Sequence, residues 1–283
     1  MQDGTYTIRT MRRDELDIAV EWAAQEGWNP GLHDADAFYA ADPDGFLIGL
    51  LDDEPVATIS VVKYGRSFGF LGFYIVKPAC RGKGYGIRIW DAGLEYLAGR
   101  TVGLDGVVAQ QDNYRKSGFT LAYRNVRYEG RGLGRVSRPP GIVELSSLPF
   151  DVVKTYDRPF FPAARTQFLK AWTHPPDGKA LGVLQGGVLA GYGVIRRCRS
   201  GHKIGPLFAD RPDLAEALFA ALTSGVEPDV PVYLDTPQVN PAAVELAECH
   251  KMRVVFETAR MYKGPEPNLP LDRLFGVTTF ELG

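Results

Sequence analysis

The hexapeptide Arg81-Gly82-Lys83-Gly84-Tyr85-Gly86 constrains the fold more than any other stretch of this 283-residue chain. Three alternating glycines interrupt regular structure there, and the flanks carry different periodicities. Upstream, Gly45 to Leu51, Val56 to Lys63 and Phe68 to Val76 are apolar, β-prone runs. The turn signals Asp52-Asp53-Glu54-Pro55 and Gly65-Arg66-Ser67 separate them, which predicts an antiparallel meander of three strands. Downstream, Ile89, Trp90, Gly93, Leu94 and Leu97 define one face of a helix. The loop therefore leads from the last strand of a meander into a helix N-terminus. Its chemistry is that of an anion cradle: glycines let backbone N–H groups approach a diphosphate, the helix start adds unsatisfied donors, and Arg81 and Lys83 bring positive charge. A dinucleotide-binding βαβ unit fits poorly, because a meander precedes the loop. A P-loop is excluded by the missing Gly-Lys-Ser/Thr ending.

The order around this core is simple. Thr5 to Thr10 reads as a first strand, and Asp14 as the cap of a helix with Leu16, Ala19, Val20 and Ala23 on its buried face. Gly27-Trp28-Asn29-Pro30-Gly31 ends that helix. Val102 to Ala109 and Phe119 to Tyr128 read as further strands. Residues 131–141, rich in glycine, proline and arginine, read as a linker between a first domain, 1–130, and a second, 142–283. The second repeats the element order of the first. Ala180 to Leu184, Val188 to Arg197 and Lys203 to Ala209 form its meander, and Asp210 opens the next helix. Pro231 to Asp235 is a strand, Asn240-Pro241 caps another helix, and Val254 to Tyr262 closes the unit.

Composition limits the partners. Hydrophobic residues make up 45% and charged residues 23%, with a net charge of -2. Neither half has the basic excess of a nucleic-acid binder. Three scattered cysteines, Cys80, Cys198 and Cys249, make neither a disulfide framework nor a metal site. Free thiols, no signal-peptide pattern and no long apolar run lead to the expectation of a cytoplasmic protein with no membrane partner.

With Arg81, Gly84 and Gly86 in an Arg-x-x-Gly-x-Gly loop after a meander, residues 5 to 129 resemble the GNAT superfamily of acyl-CoA-dependent N-acyltransferases. The resemblance implies an α+β fold of two GNAT-like domains. Each would have a mixed, mostly antiparallel central sheet flanked by helices. It implies acetyl-CoA as co-substrate, with the diphosphate on Arg81 to Gly86 and the pantetheine arm paired along Tyr74, Ile75 and Val76 at a splayed sheet edge. A backbone N–H near Ile75 or Val76 would hold the oxyanion. In Tyr114-Arg115-Lys116-Ser117-Gly118-Phe119, Tyr114 stands where the family often places the donor of a proton to the departing thiolate; packing against the cofactor is its other role. Gln110-Gln111-Asp112-Asn113 is shorter than the family's corresponding helix, and Asn113 is the candidate cofactor contact there.

The acceptor side is less defined. An amine arrives protonated and needs a base, yet Phe68 to Val76 lacks the acidic residue the family often carries. His33, Asp34 and Asp36 are the candidate bases, His33 foremost, with Asp34 also a substrate contact and Trp28 as a wall of the acceptor pocket; a surface histidine and a packing tryptophan are the plain alternatives. In the second half Ala209-Asp210-Arg211-Pro212 enters a helix without a glycine loop, so no second CoA site is expected. Asp235, Thr236, Gln238 and Asn240 are placed either to read a polar substrate or to serve turns and caps. Cys249 and His250 read as helix packing. The resulting expectation is acetyl transfer from acetyl-CoA to a primary amine of a small metabolite by direct attack. The alternative is an acyl-CoA-binding or sensing module with a partner-binding second half.

Overall fold

The computed structural model describes residues 4–135, 137 and 139–283, so Met1 to Asp3, and Val136 and Arg138 of the expected linker, lie outside the described residues. The strands are β1 (Tyr6–Thr10), β2 (Phe46–Leu51), β3 (Glu54–Tyr64), β4 (Phe68–Val76), β5 (Thr101–Val107), β6 (Thr120–Arg131), β7 (Ile142–Glu144), β8 (Lys179–Gln185), β9 (Val188–Arg197), β10 (His202–Ala209), β11 (Pro231–Pro237), β12 (Arg253–Lys263) and β13 (Leu274–Gly276). The helices are α1 (Leu16–Gln25), α2 (Asp34–Ala41), α3 (Tyr85–Tyr96), α4 (Gln111–Lys116), α5 (Phe150–Asp157), α6 (Thr166–Trp172), α7 (Pro212–Thr223) and α8 (Pro241–Cys249).

The expected mixed sheets are present, mostly antiparallel with parallel pairs at β4–β5 and β10–β11. They are joined into one sheet in the order β1-β2-β3-β4-β5-β12-β6-β11-β10-β9-β8-β7, with β13 off this path on β10. The order is pseudosymmetric about the β12–β6 pair. Each half lends its last long strand to the other: β12 lies against β5, and β6 against β11. Strand β6 also runs on to Arg131, into the stretch read as linker.

Buried ion pairs mark both exchanged positions. Arg260 of β12 grips Asp105 of β5, with Nε to Oδ1 at 2.9 Å and Nη2 to Oδ2 at 2.6 Å. Arg127 of β6 grips Asp235 of β11 in the same bidentate way, at 2.6 and 2.8 Å. Each pair sits directly across its ladder. Desolvation of these charges is offset only because the guanidinium fork matches the carboxylate.

The sheet has two apolar faces. Under α3, Ile59, Val61, Leu71, Ile89 and Trp90 pack with Met261 from the second half. On the opposite face, α1, α2 and α6 build a core in which Phe38 stacks on Trp172 at 5.7 Å. Two caps differ from expectation. Asp14 is bypassed, because a short turn at Arg13–Glu15 precedes α1, and the buried Glu15 carboxylate accepts from the Arg12 N–H at 2.8 Å and from Arg9. Asp210 takes hydrogen bonds from Tyr156 and Arg273 instead of capping α7. Asn240 caps α8 as expected, accepting from the N–H groups of Ala242 and Ala243.

Candidate active site

Strand β4 ends at Val76 and turns through Pro78–Cys80 into the glycine loop. Arg81 folds back: its Nε donates to the Val76 carbonyl at 2.9 Å, and Nη2 pairs with Glu26 at the end of α1. The guanidinium thus ties the loop to the end of β4 and to α1, and Lys83 in the loop is exposed. Gly84 is the N-cap of α3 with φ of 85°, a conformation costly for any residue with a Cβ. The space a Cβ would take at Gly84 or Gly82 holds no atom within 4 Å. The first amide of α3 bonded back into the helix is that of Arg88, to the Gly84 carbonyl, so earlier amides face outward at a helix N-terminus. Tyr85 packs on Tyr6 at 4.7 Å, and Gly86 passes under the Tyr74 hydroxyl. A linear polyphosphate fits this open, donor-rich cradle.

The cradle leads into a splay. Parallel pairing of β4 with β5 runs from Phe68↔Thr101 to Leu71↔Leu104 and stops, although both strands continue. An irregularity with Phe73 at φ 45° bends β4 at that point. Beyond it, Ile75 and Val76 pair with β3 on one side and have no β5 partner on the other. The backbone of Tyr74, Ile75 and Val76 thus borders a gap suited to one extended chain.

The second half shows the same splay filled. Pairing of β10 with β11 ends at Ile204↔Leu234, and Leu207 and Phe208 pair instead with Gly276 and Leu274 of β13. A segment of the chain itself thus takes the place that is open beside β4.

At the mouth of the open splay lies a cleft lined by Trp28, Phe73, Tyr114, Phe256, Phe280 and Glu281, among others. Tyr114, on α4, is buried and stacked on Trp90 at 5.6 Å and 22°. Burial pushes its hydroxyl up to about 12, with Tyr74 adding to the rise and the Val107 backbone opposing it. It is therefore a protonated donor throughout the neutral range. The Trp28 backbone is clamped from the second half as well as the first: its carbonyl accepts from Arg127 Nη1 at 2.7 Å and Lys203 Nζ at 3.3 Å.

Several expected acceptor residues are elsewhere. His33 is outside this cleft; it lines a separate one, and its Nε2 is 3.3 Å from Asp177 of the second half. Asp34 is buried and locked to Arg196. Asp235 does not line the cleft; it is held by Arg127 as the second half's counterpart of the Asp105–Arg260 pair. Asn113 is exposed on α4, donating to Gln110 Oε1 at 2.7 Å and accepting from Lys116. His250 packs on Phe219 at 4.3 Å and meets Glu216. Phe256, Thr258, Phe280 and Glu281 were missed by sequence reasoning. Their signal was slight: two aromatics, a threonine and an acid, none of them within a motif.

Comparison with known proteins places these features in a class. Residues 10–119 match the model described as "Acetyltransferase (GNAT) family", and residues 153–276 that described as "Acetyltransferase (GNAT) domain". The chain belongs to the GNAT family of acyltransferases, with two such domains in tandem. Among particular relatives, it is 32% identical to "Holothin acyltransferase" of Pseudoalteromonas sp. (strain SANK 73390) over 279 residues, 99% of this chain and 95% of the relative. A putative acetyltransferase from Pyrococcus horikoshii superposes with a TM-score of 0.82 at 27% identity, covering 100% of this chain and 97% of its own. A tandem GNAT protein from the clavulanic acid biosynthesis pathway shares the fold, with a TM-score of 0.63 at 12% identity over 93% of this chain and all of its own. Among the described residues, no helix is long and apolar enough to cross a membrane.

Proposed function

We propose that this acyltransferase moves an acetyl group from acetyl-CoA to the primary amine of a small, largely apolar molecule by direct attack in a ternary complex. The observation that carries the reading is the open β4–β5 splay with the glycine cradle at one end and Tyr114 at the other. The diphosphate sits on the amides from Gly82 to Gly86 with Lys83, and the pantetheine arm lies along Tyr74 to Val76. The thioester then reaches the cleft, where Tyr114 donates to the leaving sulfur. The aromatic lining of Trp28, Phe256 and Phe280 suits a compact acceptor with an apolar body. The relative's name, holothin acyltransferase, supports acyl transfer as the reaction.

Thiol release from acetyl-CoA against a panel of small amines tests this. Turnover well above background hydrolysis for compact apolar amines is expected; background rates across the panel would refute it. Gly84→Ala adds both strain and a methyl group to the cradle. It is expected to raise KM for acetyl-CoA about tenfold, with kcat within about twofold, since roughly 1–2 kcal/mol attaches to a left-handed residue. Steady-state kinetics with varied acetyl-CoA checks this.

A further inference from the structure

The reaction needs a base, and the cleft holds two carboxylates. Asp105 has both oxygens engaged: Oδ1 accepts from Arg260 and from Asn125 Nδ2 at 2.8 Å, and Oδ2 accepts from Arg260. Both of its oxygens are thus taken up by structural partners within the sheet. Glu281 differs. It arrives on the segment after β13, which leaves the filled splay of the second half and crosses to the first. On the way Val277 donates its N–H to the Asp235 carbonyl at 2.8 Å, and Arg165 holds the Thr278 hydroxyl at 3.0 Å. Beyond Glu281, the Tyr64 hydroxyl donates to the Leu282 carbonyl at 3.2 Å. The Glu281 carbonyl lies so close over Gly72 that any Cβ there would overlap it. The segment is thus seated on β3 and β4 at the bend where β4 leaves β5. The Glu281 carboxylate accepts from its neighbour Thr279 and takes part in no ion pair among the described residues. In the same cleft, the buried Thr258 hydroxyl has no hydrogen-bond partner among the described residues.

The geometry points to Glu281, supplied by the second half to the site of the first, as the general base that deprotonates the acceptor, with Thr258 as a second polar contact for it. This rests on the acyl-transfer reading above. The ammonium gives one proton to the Glu281 carboxylate, and the freed lone pair attacks the thioester carbonyl. The C–N bond forms and the C–S bond breaks as the tetrahedral intermediate collapses. The thiolate takes a proton from Tyr114, and the second nitrogen proton replaces it. Glu281 returns its proton to solvent between turnovers. The charged groups that act on Glu281 are Arg127, Arg196 and Lys203, of which Arg127 is paired with Asp235 and Arg196 with Asp34; Asp105, paired with Arg260, and Tyr114 share its cleft.

The test compares the native chain with Glu281→Gln, using an alkylamine protonated at neutral pH and an arylamine of similar shape that is not. Glu281→Gln is expected to bind acetyl-CoA normally by calorimetry and to lose about 10²–10⁴-fold in kcat/KM with the alkylamine. The arylamine rate should stay within about fivefold. The alkylamine rate of the variant should climb with pH across the range where the native rate is flat. Equal losses with both amines, or an unchanged alkylamine rate, overturn the assignment. A native chain inactive with every amine would instead sink the acyl-transfer reading, before Glu281 is tested. Should Glu281→Gln not fold, Glu281→Asp keeps the charge one methylene back. It is expected to lose about tenfold with the alkylamine alone and to keep the native pH profile; native rates with both amines would contradict the role.

Discussion

Tyr114→Phe is expected to lower kcat by about 10²–10³-fold while leaving acetyl-CoA affinity within about threefold. The ring's stack on Trp90 survives the change, so packing and cofactor contacts are kept and only the hydroxyl is lost. With its hydroxyl pushed up to about 12, Tyr114 holds its proton more tightly than a thiol near ~8.5. Its first service is therefore a charge-assisted hydrogen bond to the developing thiolate, with transfer completed as the nitrogen gives up its second proton. The sign for pH follows. The active form is the protonated one and the group's value is raised, so activity dependent on Tyr114 persists through pH 10 and falls only as pH climbs towards about 12. A native kcat profile that drops near pH 8 to 9, with Tyr114→Phe profiles identical in shape, would remove Tyr114 from this role.

Arg127→Met is expected to cost about 3–5 kcal/mol of stability, because it strands Asp235 as a buried charge between the halves. In a chain of this size that lowers the melting temperature by on the order of 10 °C. The double variant Arg127→Met/Asp235→Leu should recover most of the loss, since replacing a buried pair with apolar side chains is often near neutral. Thermal and urea unfolding of both variants check this. A single variant within about 1 kcal/mol of the native chain would show that the exchanged strands do not depend on these pairs. Activity should fall with the single variant too, because Arg127 also holds the carbonyl of Trp28, a wall of the cleft.

The meander, the loop and the helix after it were legible because each rests on local chemistry: alternating apolar runs, turn residues, and glycines at Gly82 and Gly84 where φ is positive. Strand partnership was not. Strands β6 and β12 look alike in sequence, and nothing local says that each pairs across to the other half's fifth strand. Asp235 was misread for that reason. As a polar residue at a strand end it looks available, until Arg127 arrives from a strand more than a hundred residues earlier. His33 stands just before a short helix, and its neighbour Asp177 belongs to the second half. Glu281 was invisible because the tail's path over Gly72 depends on β13 first filling the second splay.

Because β13 fills the second splay, one open groove is left for one bound donor. Calorimetric titration of CoA into the native chain tests it most directly. The expected result is a single site per chain, weakened about tenfold in Gly84→Ala. Two sites per chain, or binding indifferent to Gly84, would contradict it.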